Sequence, residues 1–470
     1  VDVRKHWKPL TIAVVMMLVL SSVGFYALSG SKAGSTALVG FNPDEAYKDM
    51  EALCAIGPRV PGTEQDLEAA QYVQSRFTEA GLKDVRIEEY PVTTFKVNSA
   101  SLSLIRLGPR TPVVKNYEHI KDFVLYEYSG STSGDVRLEM VDVGNGTEQA
   151  FEGVDVSGKA VLTTMQCLPR AAEKGALAVI VQNVRLGEQY GYPPYNGGLY
   201  ASDSSGNSIP YPDGYPDSVI PTCSVSKAIG DEIRDAIQNA RRIPVFGSTV
   251  QIQLNFDVPI GKNKIYNVIG DVKGTKSPKE FVYFIAHRDS VYINPGACDD
   301  ASGTVTIMEL ARQLAHCRPE KTIRFISADA EETGLLGATE YVKAHEDEVK
   351  KGGVLVLNFD MNDINLERVD TLNVAIAHNY SKLLNETKSL MFEKRPDLGK
   401  YKVNVIVDSG GPDDAPFARR GVENGFAMGA SGSSWEYHTT LDTIEYVSKE
   451  SWAVGGVLFG TLALRVAVGT

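Results

Sequence analysis

The strongest constraint on the fold lies after Val250, where short apolar runs alternate with amphipathic stretches. Residues 267–274 read as a short strand, 280–287 is an apolar run of strand length, and 302–317 repeats apolar residues at helical spacing. The run 321–330 is strand-like, 334–349 is helix-like, and 353–361 closes the series as another apolar run. Stretches such as Phe281-Val-Tyr-Phe-Ile and Val354-Leu-Val-Leu show no polar alternation, so strands made from them must be covered on both faces. Strands joined by covering helices predict an α/β fold: a mixed, largely parallel sheet sandwiched by helices.

In sheets of this kind, ligands bind in the crevice beyond the carboxyl ends of the strands. Three of the predicted strands end in polar groups, at His287-Arg288-Asp289, at Ala330-Glu331-Glu332 and at Phe359-Asp360-Met361. The loop after the first strand carries Asp299 and Asp300 between glycines, and a later loop supplies His438. Neighbouring carboxylates repel each other and are costly to bury unless a cation or hydrogen-bond donors compensate. Taken singly, each group has an ordinary explanation. A lone His is commonly a satisfied core residue, a Glu pair at a helix start complements the helix dipole, and an Asp ending a strand is commonly a turn residue. Their convergence on one sheet edge points to a shared cation. Two imidazoles with several carboxylates suit zinc and, less well, cobalt or manganese. Asp289 is spaced to fix the tautomer of His287.

Outside this region the chain reads differently. A length of 470 residues predicts two domains. Arg4, Lys5 and Lys8 precede an apolar run from Leu10 to Leu28, close to the roughly 20 residues that cross a bilayer. The small residues Ala27 and Ser29 suit a cleavage site, so residues 1–40 read as a membrane anchor or a signal segment plus linker. Either way the basic flank predicts that everything after Gly30 lies outside the cytoplasm, membrane-anchored or secreted. Two helical patterns follow, with Asp44 and Thr63 as caps, and 85–92 alternates like a strand. From about Asp122 short strands predominate, predicting a smaller β-rich unit at 122–249 inserted into a larger one made of 41–121 and 250–470. The Tyr-, Pro- and Gly-rich stretch Gly187 to Ser218 predicts a long loop that approaches the mouth of the site. A net charge of -12 argues against nucleic acid as a partner. The five cysteines are scattered and form no CxxC, which argues against a disulfide framework or a thiolate zinc site.

The motifs "AHRDS", "PGACDDASG", "ADAEETGLLGATEYV", "NFDM", "GGPDDAPF" and "YHTTLDT" resemble those of the two-zinc aminopeptidases. That group, metallopeptidase family twenty-eight, includes aminopeptidase Y and the secreted bacterial leucyl aminopeptidases. The resemblance runs from about Phe41 to the C-terminus, and segments 157–166, 171–183 and 220–233 resemble the protease-associated domain often inserted in that family. It implies a zinc exopeptidase fold acting on peptide or protein substrates with two zinc ions. Carried over by position, His287 and Asp360 would hold one zinc, Glu332 and His438 the other. Asp299 would bridge them and Asp300 would follow across a cis peptide. Glu331 would be the general base for a metal-bound hydroxide, with Asp289 supporting His287 in the catalytic set. The expected activity is an aminopeptidase. A carboxypeptidase or dipeptidase, a glutaminyl cyclase, and a receptor-like protein without catalysis are the alternatives on the same scaffold. Three positions depart from the family pattern: Arg288, expected to alter the pocket rim; Cys298, expected to pack; and Pro412, ahead of Asp413.

Overall fold

The computed structural model describes residues 37–107, 111–198, 200–202, 208–210, 219–242, 249–430 and 434–469. The basic and apolar N-terminal segment read above as an anchor, and part of the Gly187–Ser218 loop, lie outside the described residues.

The larger sheet has eight strands in the spatial order Lys83–Phe95, Ile260–Val272, Lys321–Ala328, Ser277–His287, Gly353–Phe359, Glu423–Met428, Thr371–Ile376 and Lys402–Val407. Its centre is parallel: Ser277–His287 pairs in parallel with Lys321–Ala328 on one side and Gly353–Phe359 on the other. Antiparallel pairings flank this centre, Lys83–Phe95 on Ile260–Val272, Ile260–Val272 on Lys321–Ala328, and Thr371–Ile376 on Glu423–Met428. The mixed, largely parallel sheet read from the sequence is therefore present.

Both faces are covered, and the strand period explains how. Along the His287 strand, Val282, Phe284 and Ala286 enter one core while Phe281, Tyr283 and Ile285 enter another. The first core packs under helices Pro43–Ile56, Glu64–Ala80, Ser302–Leu314 and Trp452–Val468; the second packs under Leu336–Ala344. The C-terminal helix is apolar enough by composition to cross a membrane, but its Val454, Leu458 and Leu462 lie fully buried in the first core. Thr63 caps the second helix as expected. The first is capped by Asn42 instead of Asp44: the Asn42 side chain accepts from the amides of Asp44 and Glu45, and Pro43, which has no amide hydrogen, takes the first helical position.

A second eight-stranded sheet has its own core. It begins earlier and ends later than 122–249. Strands Ser99–Arg106 and Val113–Tyr117 belong to it, as does Val250–Asp257, which pairs antiparallel with Ser99–Arg106 and Val136–Asp142. The reason lies in the pattern: the inward residues of 250–257, Val250, Ile252, Leu254 and Phe256, are buried in the second core, not the first.

Candidate active site

The central strand Ser277–His287 is the point where the chain reverses its direction of travel across the sheet. The next strand in sequence, Lys321–Ala328, lies on one side and the following one, Gly353–Phe359, on the other. The connections must diverge there, opening a crevice at the carboxyl ends. His287 is the last residue of the central strand, Asp360 directly follows Gly353–Phe359, and Glu331 and Glu332 lie just beyond Lys321–Ala328. Asp299 and Asp300 sit in a non-helical segment ahead of helix Ser302–Leu314, joined by a cis peptide. His438 comes from the loop after Glu423–Met428.

These groups meet. His287 Nε2 lies 3.2 Å from Asp299 Oδ1 and 3.9 Å from Asp360 Oδ1. His438 Nε2 lies 3.4 Å from Asp299 Oδ2 and 2.8 Å from Glu332 Oε2. Asp299 thus stands between the two imidazoles and turns one oxygen to each. Asp300 turns away: its Oδ1 accepts from the amides of Gly303 at 2.8 Å and Met361 at 2.9 Å, which fastens the helix start to the Asp360 strand end. Asp289 lies 3.4 Å from His287 Nδ1 and accepts the amides of Glu331 and Glu332, each at 3.1 Å. One carboxylate therefore faces an imidazole and fixes the backbone of the Glu pair.

Burial sharpens the electrostatics. Burial would raise the Asp299 carboxyl, but the flanking imidazoles outweigh it and hold the group below the usual carboxylate range. Glu332 is pushed up to about 7, chiefly by burial and against the pull of His438. Glu331, half-buried, is raised well above the ordinary value by desolvation, with Asp360, Glu332 and Asp413 adding to it. Burial disfavours charge on His287 and His438, yet the surrounding carboxylates raise both well above an ordinary imidazole. So much negative charge in so little volume calls for cations. Among the described residues, His287 Nε2, His438 Nε2 and Glu332 Oε1 are buried without a hydrogen-bond partner. Nitrogen and oxygen donors of this kind, His287, Asp299 and Glu332 among them, lie within 4.8 Å of one another. Orphaned imidazole nitrogens facing carboxylates are a donor set that fits zinc.

The sequence reading did not assign several supporting groups. Asp442 accepts the amides of Cys298 at 2.6 Å and Asp299 at 3.0 Å, so it sets the turn that presents Asp299. Asp413 is buried beside His287 and Asp360, its carboxyl pushed up to about 8 by desolvation. Both residues fall inside quoted motifs, yet nothing in their spacing distinguishes them from turn residues. Arg288 does not reach a pocket rim. It is fully buried and pairs with Asp66 at 2.5 Å and Asp329 at 3.3 Å, because residues following each other along a strand point to opposite sides and His287 takes the crevice side. Cys298 packs with Met361 and Ala430, as expected.

Residues 267–459 match the peptidase family M28, a span that contains every one of these groups except Asp66 and the second-sheet residues. The chain is 28% identical to the aminopeptidase YwaD of Bacillus subtilis over 442 residues, covering 91% of this chain and 85% of that one. It superposes on the crystal structure of BSAP, a zinc aminopeptidase from Bacillus subtilis, with a TM-score of 0.69 and 25% identity, covering 92% of this chain and 96% of the other. It is also 24% identical to a glutamate carboxypeptidase 2 homolog of Caenorhabditis briggsae, over 82% of this chain and 61% of that protein.

Proposed function

We propose that this chain is a zinc-dependent aminopeptidase that removes N-terminal residues from peptides and holds two zinc ions. The observation that carries the reading is Asp299, with one oxygen toward each imidazole. His287, Asp360 and Asp299 would hold one ion; Glu332, His438 and Asp299 the other. Zinc, when bound, polarises the scissile carbonyl and makes water a competent nucleophile at neutral pH. The protein does the rest. Glu331 is adjacent to a ligand but makes no side-chain hydrogen bond or ion pair among the described residues. It is available to take a proton from water and pass it to the leaving amine. Asp289 and Asp442 hold the flanking backbone, and Asp289 also faces the His287 ring.

A cavity of about 300 Å³ opens directly beside Asp299, Glu331, Glu332 and Asp360, and its far wall is Met361, Pro412, Phe426 and Met428. Acidic groups at one end suit a free ammonium, and the apolar wall suits a hydrophobic first side chain. A second cavity of about 330 Å³ runs from Glu331, Glu332 and His438 toward Tyr195 and Gly198, on the loop of the second sheet. This supports the loop, and the second sheet as a protease-associated domain, in confining the rest of the peptide. The similarity to the zinc aminopeptidase covers nearly all of that chain, whereas the similarity to the glutamate carboxypeptidase homolog covers 61% of it, which favours the aminopeptidase over the carboxypeptidase. The basic residues ahead of the Leu10–Leu28 run support a catalytic body outside the cytoplasm.

The test is turnover of an amino-acid p-nitroanilide panel by the zinc-loaded protein, beside N-acetylated and C-terminally amidated peptides, with bound zinc counted. Cleavage of free N-termini, abolished by acetylation and indifferent to amidation, is expected, with two zinc ions per chain. Cleavage that survives acetylation and fails on amides would assign a carboxypeptidase, and one zinc at saturation would remove the paired site.

A further inference from the structure

The two imidazoles of the site are held from different parts of the molecule. His287 Nδ1 faces Asp289, two residues away on the same sheet edge, at 3.4 Å. His438 is oriented by the second sheet's loop. Its Nδ1 lies 2.9 Å from the carbonyl oxygen of Asn196, and the Asn196 amide donates back to the His438 carbonyl at 2.8 Å. A carbonyl oxygen can only accept, so Nδ1 carries the proton and Nε2 is left bare toward Asp299 and Glu332. The paired bonds also hold His438 at φ +53°, a backbone region that a non-glycine residue seldom occupies.

Asn196 is itself anchored from behind. It is fully buried, and its Nδ2 donates to the Leu125 carbonyl at 2.6 Å, on strand Phe123–Leu125 of the second sheet. The amide of the preceding Tyr195 donates to Ser224 Oγ at 3.1 Å, on strand Thr222–Val225. The Tyr195 ring lies nearly parallel to the His438 ring, 5.6 Å between centroids and 16° between planes. A few residues away, Tyr190 packs on Trp435 at 4.8 Å, so the loop grips the His438 segment at two places.

We infer that Tyr195 and Asn196 are positioning residues that complete the second metal position from the second sheet: they fix the tautomer and aim of His438, so that one of the two zinc ions, and not the other, depends on the second sheet for its affinity. The inference rests on the two-zinc reading above. It gives the second sheet a task beyond confining substrate, because a ligand held by another layer can lose its metal when that layer shifts. Outer partners of a metal-ligating imidazole typically contribute 10–100-fold to affinity.

Zinc affinity is measured by chelator competition on the full chain, in the wild type, in Asn196→Ala, which removes the Leu125 anchor, and in Tyr195→Leu, which removes the stacked ring. The wild type should bind two zinc ions. Each variant should keep one near its original affinity and hold the other about 10–100-fold more weakly. In the zinc-loaded wild type, histidine ¹⁵N spectra should show a slowly exchanging Nδ1 proton on His438, and Asn196→Ala should lose that protection. A merely structural role would lower thermal stability without singling out one zinc or that proton. Equal weakening of both sites, or unchanged affinity at both, overturns the inference. If Asn196→Ala does not fold, Tyr195→Leu and the wild-type spectrum decide, since a His438 protonated at Nε2 in the loaded enzyme overturns it alone. A wild type that binds fewer than two zinc ions defeats the metal reading instead, which separates the two failures.

Discussion

Glu331 and Glu332 are adjacent, chemically identical and assigned opposite tasks, so exchanging each for Gln tests the site most directly. Glu332 Oε2 lies 2.8 Å from His438 Nε2, whereas the Glu331 side chain touches no partner among the described residues. Glu331→Gln keeps shape and removes only the basic oxygen. General-base catalysis contributes about 10²–10⁴-fold, and at about 1.36 kcal/mol per decade the variant should lose roughly 2.7–5.4 kcal/mol of transition-state stabilisation. Metal content should be unchanged. Stability supplies an independent sign. The Glu331 carboxyl is raised in the fold, chiefly by burial, so its ionised form is disfavoured there relative to the unfolded chain. A raised acid costs nothing below its ordinary value and destabilises the fold as pH rises above it. The metal-free Gln variant should therefore be at least as stable as the metal-free wild type at neutral pH. Glu332→Gln should instead weaken one zinc, with activity partly restored by added metal. The assay is kcat on a leucine p-nitroanilide, bound zinc by elemental analysis, and calorimetric Tm of the metal-free proteins. Loss of zinc in Glu331→Gln with retention in Glu332→Gln would exchange the roles. Retention of zinc and activity in both would place the chemistry elsewhere.

Three further outcomes follow from the same geometry. With zinc chelated, stability should fall as pH rises from about 5 to 8, because Glu332 and Asp442 at about 7 and Asp413 at about 8 are raised acids. His287 and His438, raised bases, lose their stabilising contribution in the same direction, so the metal-free Tm should drop with pH while the loaded form resists. A metal-free Tm that climbs over that range would contradict the charge argument. Arg288→Met leaves Asp66 and Asp329 buried without their cation and should cost about 3–5 kcal/mol in urea unfolding, whereas less than about 1 kcal/mol would mean the carboxyls repair the loss by protonation. Gly411→Ala places a methyl 2.3 Å from the Phe426 ring on the apolar wall, and should shift the preference among p-nitroanilides toward smaller first residues, chiefly through KM. An unchanged ranking would put the first side chain in a different cavity.

The architecture of the larger sheet was legible because its signals are local. Unbroken apolar runs need cover on both faces wherever they occur, and Phe281 to Ile285 divide between two cores as their alternation requires. The same logic exposed His287, Glu331, Glu332 and Asp360, since polar residues that end buried strands must gather at one edge. The limits of the second sheet were not legible. Val250–Asp257 alternates like any half-covered strand, and only its long-range pairing with Ser99–Arg106 assigns it to one sheet over the other. Register across 150 residues leaves no local trace.

Direction and partnership were likewise decided in three dimensions. The sequence by itself determined which donor-bearing residues gather at the sheet edge, because donor types and strand-end positions are properties of short segments. It could not determine that Arg288 faces inward to Asp66 and Asp329, that Asp442 sets the Asp299 turn, or that a backbone carbonyl at Asn196 orients His438. Each of these is a contact between segments far apart in the chain. Every residue carries the same carbonyl group, so only the packing of one sheet's loop against the imidazole at the other sheet's edge distinguishes the oxygen of Asn196 from the rest.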